Sequence, residues 1–132
     1  MYATSETWIS TSGTNWSTSG NWGPNATLTS SADTAFFGAD NGSGTTLNND
    51  ISSLTLVGIT FNSNAAAYTL GGNALTLGLS GNSTILTLNN TATQTFNLPV
   101  NLSSGDKTIS FAVASGTVVF NEIGRASCRE RV

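Results

Sequence analysis

The sequence predicts an all-β protein, and three of its properties support that prediction. Charged residues make up 8% of the 132 residues, against roughly 25% in ordinary soluble domains, and Thr, Asn, Ser and Gly take their place. Thr and branched residues favour strands, while Gly and Asn favour turns. No stretch spaces its apolar residues as a helix does. Together these properties indicate short strands joined by tight turns.

Seven segments after residue 50 alternate apolar and polar residues with the period of two that is typical of strands. Turns rich in Asn, Gly and Ser separate the segments, and each segment gives its strand one apolar face and one Thr/Ser/Asn face. The segments are SLTLVGITF, AYTLGG, NALTLGLSGN, STILTLNN, TQTFNLPVNL, KTISFAVASG and GTVVFN. This pattern fits either a β-sandwich or a solenoid of stacked coils.

Loose copies of one phrase favour the solenoid: LTLVG, YTLGG, LTLGL and LTLNN. Repeated phrases are typical of stacked coils, in which each coil buries its apolar side on the next. With roughly 20 to 25 residues in a coil, Leu54–Asn121 makes about three coils. We therefore expect an irregular, Trp-rich β cap over residues 1–50 and coils over residues 51–121. Pro99 is expected at a bend, since proline cannot donate to a ladder.

Three parts of the chain carry a family resemblance: the tryptophan spacing in TWISTSGTNWSTSGNWGPN, the patch ADTAFFG, and the phrase GITFNSNAAAYTLGGNALTL. From about Thr7 to Asn121 the chain resembles the autotransporter-associated β-strand repeat proteins, which are large, weakly charged, secreted bacterial proteins. The resemblance implies a right-handed parallel β-helix, either secreted or at the cell surface in association with the outer membrane. It supplies no catalytic residues, and no cofactor is expected.

The two ends of the chain lead to separate expectations. The N-terminal MYATSETWIS has neither the basic nor the apolar region of a secretion signal, so a signal would lie upstream of it. At the other end, Glu122–Val132 breaks the alternation and holds three of the four basic residues and Cys128. This tail resembles the in-frame translation of a sequencing-library adapter; the alternatives are a disordered basic tail or a reactive thiol beside arginines. We expect an incomplete C-terminal end, with further coils of the same chain after Asn121.

The tryptophans Trp8, Trp16 and Trp22 are the candidate ligand-binding residues. Exposed indole rings could stack on the faces of sugars. Alternatively the three rings form a hydrophobic cap together with Phe36 and Phe37, because the open end of a solenoid exposes its core and its strand edges. The cap is the favoured hypothesis.

Acidic residues supply the remaining candidate sites. Asp40 and Asn41 could contribute oxygen ligands to calcium, but their spacing matches neither an EF-hand nor the glycine-aspartate nonapeptide repeat, and an Asx turn is favoured. Paired carboxylates could act on polysaccharides if two of them converged. The available acids are Glu6, Asp33, Asp40, Asp50 and Asp106. Since the chain has no histidine, a Ser-His-Asp triad and a histidine metal site are excluded.

The function expected from these properties is structural and not enzymatic. The net charge is −3 and Lys107 is the one base outside the tail, which argues against nucleic acid as a partner. We expect a monomeric stalk or passenger segment, adhesin-like, that meets a surface glycan or another cell-surface ligand. The alternatives are a carbohydrate-binding module that uses the tryptophans and a fragment of a polysaccharide-active enzyme. Turn asparagines are expected to form ladders between coils; the candidates are Asn62, Asn64, Asn73, Asn82 and Asn90.

Overall fold

The computed structural model of the chain describes residues 5–24, 28 and 33–123. Apart from one short 3-10 helix, Ser19–Asn21, the regular elements of this part are all strands. They are β1 Ser5–Trp8, β2 Trp22–Gly23, β3 Thr34–Phe37, β4 Thr46–Asn49, β5 Leu54–Leu56, β6 Gly58–Phe61, β7 Thr69–Gly72, β8 Leu75–Leu77, β9 Ser83–Leu88, β10 Thr93–Phe96, β11 Val100–Leu102, β12 Lys107–Phe111 and β13 Thr117–Phe120.

The strands form three sheets that the chain visits in turn. The first sheet has the order β12-β9-β6-β3-β1-β2, the second β13-β10-β7-β4 and the third β11-β8-β5. All neighbours are parallel except β1 and β2. The chain therefore winds around three sides as a β-solenoid of about four turns. The predicted all-β solenoid is confirmed, and its right-handed sense stays a prediction.

The parallel ladders begin earlier in the chain than the predicted coils. β3 pairs with β6 and β4 pairs with β7, so that residues 34–56 form the first coil. The second coil is β6–β8, the third β9–β11, and the fourth contains β12 and β13. At the other end of the coils Ile123, which belongs to the predicted tail, forms a parallel bridge with Val100. Stacked coils thus occupy a longer part of the chain than residues 51–121.

The register keeps side chains facing the same way although the coils differ in length. Paired residues lie as few as 21 positions apart, as between Leu54 and Leu75. Between the four coils they lie as many as 27 apart, at Ile59 and Leu86, while β1 lies 29 positions from its partners in β3. The corner loops absorb these differences, and Pro99 lies in such a corner directly before β11, as predicted. Because side chains alternate along a strand, the same apolar set faces inward in each coil.

At two corners the backbone conformation and the close approach of the neighbouring coil require glycine. Gly72 has φ +107°, and a Cβ built there would lie 2.3 Å from the carbonyl oxygen of Asn49 in the coil below. Gly105 has φ +94°, and its Cβ would lie 2.3 Å from the backbone of Gly81. Backbone of one turn therefore touches backbone of the next, an approach that only a residue without a side chain permits.

The inward side chains form one continuous core. Leu56, Leu77 and Phe96 have no exposed surface, in agreement with their predicted inward position. Phe111 is different, because 44% of its surface is exposed. It pairs with the buried Leu88 but belongs to the last coil, and no further coil among the described residues covers it.

Because side chains alternate between the inner and outer faces of a strand, two neighbouring substitutions are expected to lower the stability by very different amounts. Leu77→Ala removes a fully buried side chain and leaves a cavity between coils, so we expect a loss of about 2 to 5 kcal/mol of unfolding free energy. Thr76→Ala on the outer face of the same strand should cost less than about 1 kcal/mol. Urea denaturation measures both, and equal losses would contradict the assigned facing.

Candidate functional site at the tryptophan end of the solenoid

The three tryptophans lie together at the N-terminal end of the solenoid. β1 and β2 pair antiparallel, which places Trp8 opposite Trp22. Trp16 lies between these strands in sequence. Its backbone N–H donates to the carbonyl oxygen of Asn48 in the first coil at 3.0 Å. The exposed fractions are 1% for Trp8, 0% for Trp16 and 2% for Trp22.

The rings pack edge to face around Trp22. Its ring centroid lies 5.0 Å from that of Trp8 and 5.8 Å from that of Trp16, with interplanar angles of 79° and 86°. Phe37 of the first coil lies beneath all three rings, 5.7 Å from Trp22. Edge-to-face pairs of this kind stabilise beyond the area that they bury. The cluster therefore seals the first coil with oriented aromatic contacts.

Aromatic contacts continue from this cluster along the whole solenoid. Phe37 stacks on Phe61 at 5.5 Å, Phe61 meets Phe96 edge to face at 6.3 Å, and Phe96 stacks on Phe120 at 5.1 Å. Each of these phenylalanines belongs to a different coil. We call this series the aromatic spine. It links the tryptophan end to the last coil through side chains alone.

Polar contacts fix the tryptophan segment to the first coil. The Nε1–H of Trp22 donates to the carbonyl oxygen of Trp16 at 2.8 Å. Asp50 accepts from the N–H of Ser17 at 2.8 Å and from its Oγ at 2.5 Å. Partial burial of Asp50 opposes ionisation, but these hydrogen bonds outweigh it and lower the pKa of the carboxyl. Asn48 donates from Nδ2 to Oδ1 of Asn15 at 2.9 Å.

This geometry is that of a cap. A sugar-stacking platform needs an exposed ring face, and in the described structure the three indoles offer at most 2% of their surface to solvent. Phe37 belongs to the cluster as the sequence analysis expects, while Phe36 lies on the other face of β3 and is half-buried.

The loop around Asp40 forms an Asx turn. Its Oδ1 accepts from the N–H groups of Gly42 and Gly44 at 2.8 and 3.0 Å. Asn41 donates from Nδ2 to the carbonyl oxygen of Trp8 at 3.3 Å, which ties the loop to the cap. The turn thereby engages one of the two carboxylate oxygens of Asp40.

The five acids are not brought together as a group. Glu6 and Asp33 are buried near the tryptophan end, and each is engaged in interactions. Asp40, Asp50 and Asp106 are exposed. Within residues 5–24, 28 and 33–123, no cluster of three or more His, Cys, Asp or Glu residues could hold a metal ion. Cys128 lies outside the described residues.

Asparagine side chains bond between successive coils, and two of the five predicted candidates, Asn82 and Asn90, do so with backbone groups of the neighbouring coil. Oδ1 of Asn82 accepts from the N–H of Asp106 at 3.0 Å, and Nδ2 of Asn90 donates to the carbonyl oxygen of Ala65. Three further asparagines, which sequence reasoning missed, bond between coils through their side chains: Asn49, Asn97 and Asn121. They end strands β4, β10 and β13 or follow them directly, which is the signal that could have found them.

Lys107 makes contacts that the sequence alone does not indicate. Its ammonium donates to the carbonyl oxygens of Leu79 at 2.8 Å, Gly81 at 2.5 Å and Ser104 at 2.6 Å. These oxygens belong to two stacked turns, and an ammonium has three donors. The side chain therefore fastens the corner of the fourth coil to that of the third.

Among the described residues, no helix has the length and apolar character needed to span a bilayer. Comparison of the chain with protein-family models, with curated proteins and with solved structures finds no match. The geometry of the described residues is therefore the basis for a functional proposal.

The cap can be followed by tryptophan fluorescence, because the chain has three tryptophans and all belong to it. We expect emission typical of buried indole and little quenching by iodide in the folded protein. Both should change only when the cap opens. Strong iodide quenching of the native protein, at full β-sheet circular dichroism, would contradict the burial.

The environment of Tyr68, whose hydroxyl contacts the first coil at Gly38, predicts that the free energy of unfolding depends on pH. Burial and the nearby Asp40 carboxylate raise the pKa of Tyr68 to about 12, and its hydroxyl donates to the carbonyl oxygen of Gly38 at 2.8 Å. Since this folded-state pKa exceeds the ordinary 10.0, the contribution is present below pH 10 and is lost as the pH rises towards 12. We expect a loss of about 1 kcal/mol at pH 11.

The measurement is urea denaturation of the native protein and Tyr68→Phe between pH 9 and pH 11. The variant lacks the titrating hydroxyl, while Lys107 is present in both proteins. A smaller decrease in stability for Tyr68→Phe is expected, and identical pH profiles would exclude Tyr68 as the source.

Proposed function

We propose that the chain is a structural segment: a short, rigid, weakly charged β-solenoid rod of a secreted or surface-displayed bacterial protein. The observation that carries this proposal is the filled interior. Inward side chains of all four coils form one apolar core around the aromatic spine. A core of this kind builds length and stiffness and leaves the outer faces to meet the surroundings.

The outer faces are suited to an exposed, extracellular position. In the second sheet the outward residues Thr46, Thr69 and Thr95 lie in register on successive strands. In the third sheet Thr55 and Thr76 do the same. Such rows of hydroxyl groups are well hydrated and carry no charge. An adhesin-like contact, if the rod makes one, would use these rows, since the tryptophans are enclosed.

The resemblance to autotransporter-associated β-strand repeat proteins supports the finer form of the proposal, a passenger segment at the outer membrane. The resemblance rests on the tryptophan spacing and on the phrase GITFNSNAAAYTLGGN. The solenoid architecture agrees with it. Further coils of the same protein would lengthen the rod and space its tip from the cell.

The location is tested on the bacterium that makes the protein, with an antibody raised against the folded chain. We expect labelling of intact cells or recovery of the antigen from the medium. An antibody against a cytoplasmic protein is the control for lysis. Labelling that appears only after the cells are permeabilised would contradict a surface or secreted location.

A glycan pull-down tests the adhesin-like role. If the outer rows bind, Thr69→Lys together with Thr95→Lys should abolish capture while circular dichroism stays unchanged. A matched change on the third sheet, Thr55→Lys with Thr76→Lys, shows which face is used. Capture that survives both pairs, but is lost when the cap is opened, would assign binding to the tryptophans instead.

A further inference from the structure

The loop between β3 and β4 contains Asn41-Gly42, the one Asn-Gly dipeptide of the sequence. Both residues are exposed and lie outside the strands. The loop rests on the tryptophan cap: Nδ2 of Asn41 donates to the carbonyl oxygen of Trp8 at 3.3 Å, and Oγ of Ser43 accepts from Nε1 of the same tryptophan at 3.2 Å. The dipeptide is therefore part of the contact between the first coil and its cap.

This contact requires both members of the dipeptide. Gly42 has φ +118°, and a Cβ built there would lie 2.9 Å from the carbonyl oxygen of Thr11 in the cap segment, so that a residue with a side chain would push the loop away. Asn41 supplies the amide donor for the carbonyl oxygen of Trp8. The fold thus places an asparagine directly before a glycine, which is the order in which an asparagine side chain is chemically least stable.

We propose that Asn41 is a site of spontaneous deamidation and that its conversion loosens the tryptophan cap. The backbone nitrogen of Gly42 attacks Cγ of Asn41, the Cγ–Nδ2 bond breaks, and ammonia leaves with the proton of the glycine amide. Water then opens the resulting five-membered succinimide. Hydrolysis at the Cγ carbonyl gives aspartate, and hydrolysis at the main-chain carbonyl gives isoaspartate. Water is the sole co-reactant, and no electrons are transferred.

The neighbouring Asp40 slows this reaction in the folded chain. Its Oδ1 accepts from the N–H of Gly42 at 2.8 Å, which keeps the attacking nitrogen protonated. Both groups are exposed, so that water competes for the hydrogen bond and the loop opens locally without unfolding of the coils. Ring closure needs the nitrogen without its proton. We therefore expect slow conversion at neutral pH and a rate that rises with the hydroxide concentration.

Conversion removes the contact that Asn41 makes with the cap. An ionised carboxylate has no donor, so the product cannot donate to the carbonyl oxygen of Trp8, and its negative oxygens are repelled by that oxygen. The isoaspartate form also adds one carbon to the main chain, which shifts Gly42 away from its close approach to Thr11. The cap loses its polar support on this side under either product. The proposal does not depend on the structural function of the rod or on its location.

The test is incubation of the folded 132-residue chain at pH 7 and pH 9, followed by peptide mapping with mass spectrometry that separates aspartate from isoaspartate. Asn82 is the internal reference, because it is also exposed and lies in a loop, but Ser83 follows it. Since Gly42 has no side chain to hinder ring closure, we expect Asn41 to convert roughly tenfold faster than Asn82. Both products should appear at Asn41, and faster at pH 9. Equal conversion at the two asparagines, or an intact Asn41 at pH 9, would overturn the proposal.

Two variants test the effect on the cap. Asn41→Asp reproduces one product, and Asn82→Asp adds the same charge at a corner far along the chain. We expect Asn41→Asp to increase quenching of the tryptophans by acrylamide, a neutral quencher that is insensitive to the added charge, while Asn82→Asp leaves quenching at the native level. Circular dichroism should show native β-sheet in both. Native quenching in Asn41→Asp, or an equal increase in both variants, would contradict the proposed loosening.

A third variant tests the chemistry. Asn41→Gln keeps an amide at this position, but its longer side chain would have to close a six-membered ring, so that residue 41 should stay unmodified at pH 9 while Asn82 converts as in the native chain. Conversion of this variant at the rate of the native Asn41 would exclude the succinimide route.

Discussion

The whole structure depends on parallel pairing that keeps the facing of each strand constant from coil to coil. Phe37 pairs with Phe61 and Phe96 pairs with Phe120, so that aromatic side chains of successive coils stack. A slip of one residue would turn every inward side chain outward. The register accommodates a local irregularity between Thr108 and Ile109, where both Ile85 and Leu86 of the coil below are buried. Beyond this point Ile109 pairs with Leu86 and Phe111 with Leu88, so that the inward facing is restored.

The N-terminal end of this core must be covered in another way, because no coil precedes the first one among the described residues. The chain meets this with a segment that departs from the solenoid path: β2 reverses direction against β1, and three indoles cover Phe37. Hydrogen bonds from Ser17 to Asp50 and between Asn15 and Asn48 then anchor the segment to the first coil. The cap combines bulk for the core with backbone partners for the strands.

Much of the fold can be predicted from the alternation of Thr with Leu, Ile, Val and Phe, and the repeated LTL phrases favour a solenoid over a sandwich. Polar residues at inward positions are harder to predict, and one such residue lies in the first coil and another in the third. Asn49 and Gln94 are fully buried. Gln94 accepts from the N–H of Tyr68 at 2.8 Å and donates to the carbonyl oxygen of Ala66 at 2.9 Å. Its side chain thus serves as the hydrogen-bond partner of two backbone groups in the neighbouring coil, and the pattern of apolar and polar residues does not reveal this role.

The candidate site, too, can be predicted only in part from the sequence. The open end of a predicted solenoid favours a cap of bulky aromatic residues, yet the sequence leaves a sugar-stacking platform possible, since the exposure of the rings depends on how β1 and β2 fold back. Residues that meet only after a full turn are less predictable still. Lys107 reaches Leu79 and Gly81 because two glycine corners lie directly over each other, and neither the corner geometry nor its stacking is visible in the order of residues.

Because the two ends of the described coils differ, the coils should unfold in a defined order. Each coil is held by its neighbours, and the last has a neighbour on one side only within the described chain. The first has the indole cluster as well as the second coil. In the isolated 132-residue chain, opening of the backbone should therefore start at the fourth coil and travel towards the tryptophans, so that amide protons exchange along a gradient through the described coils.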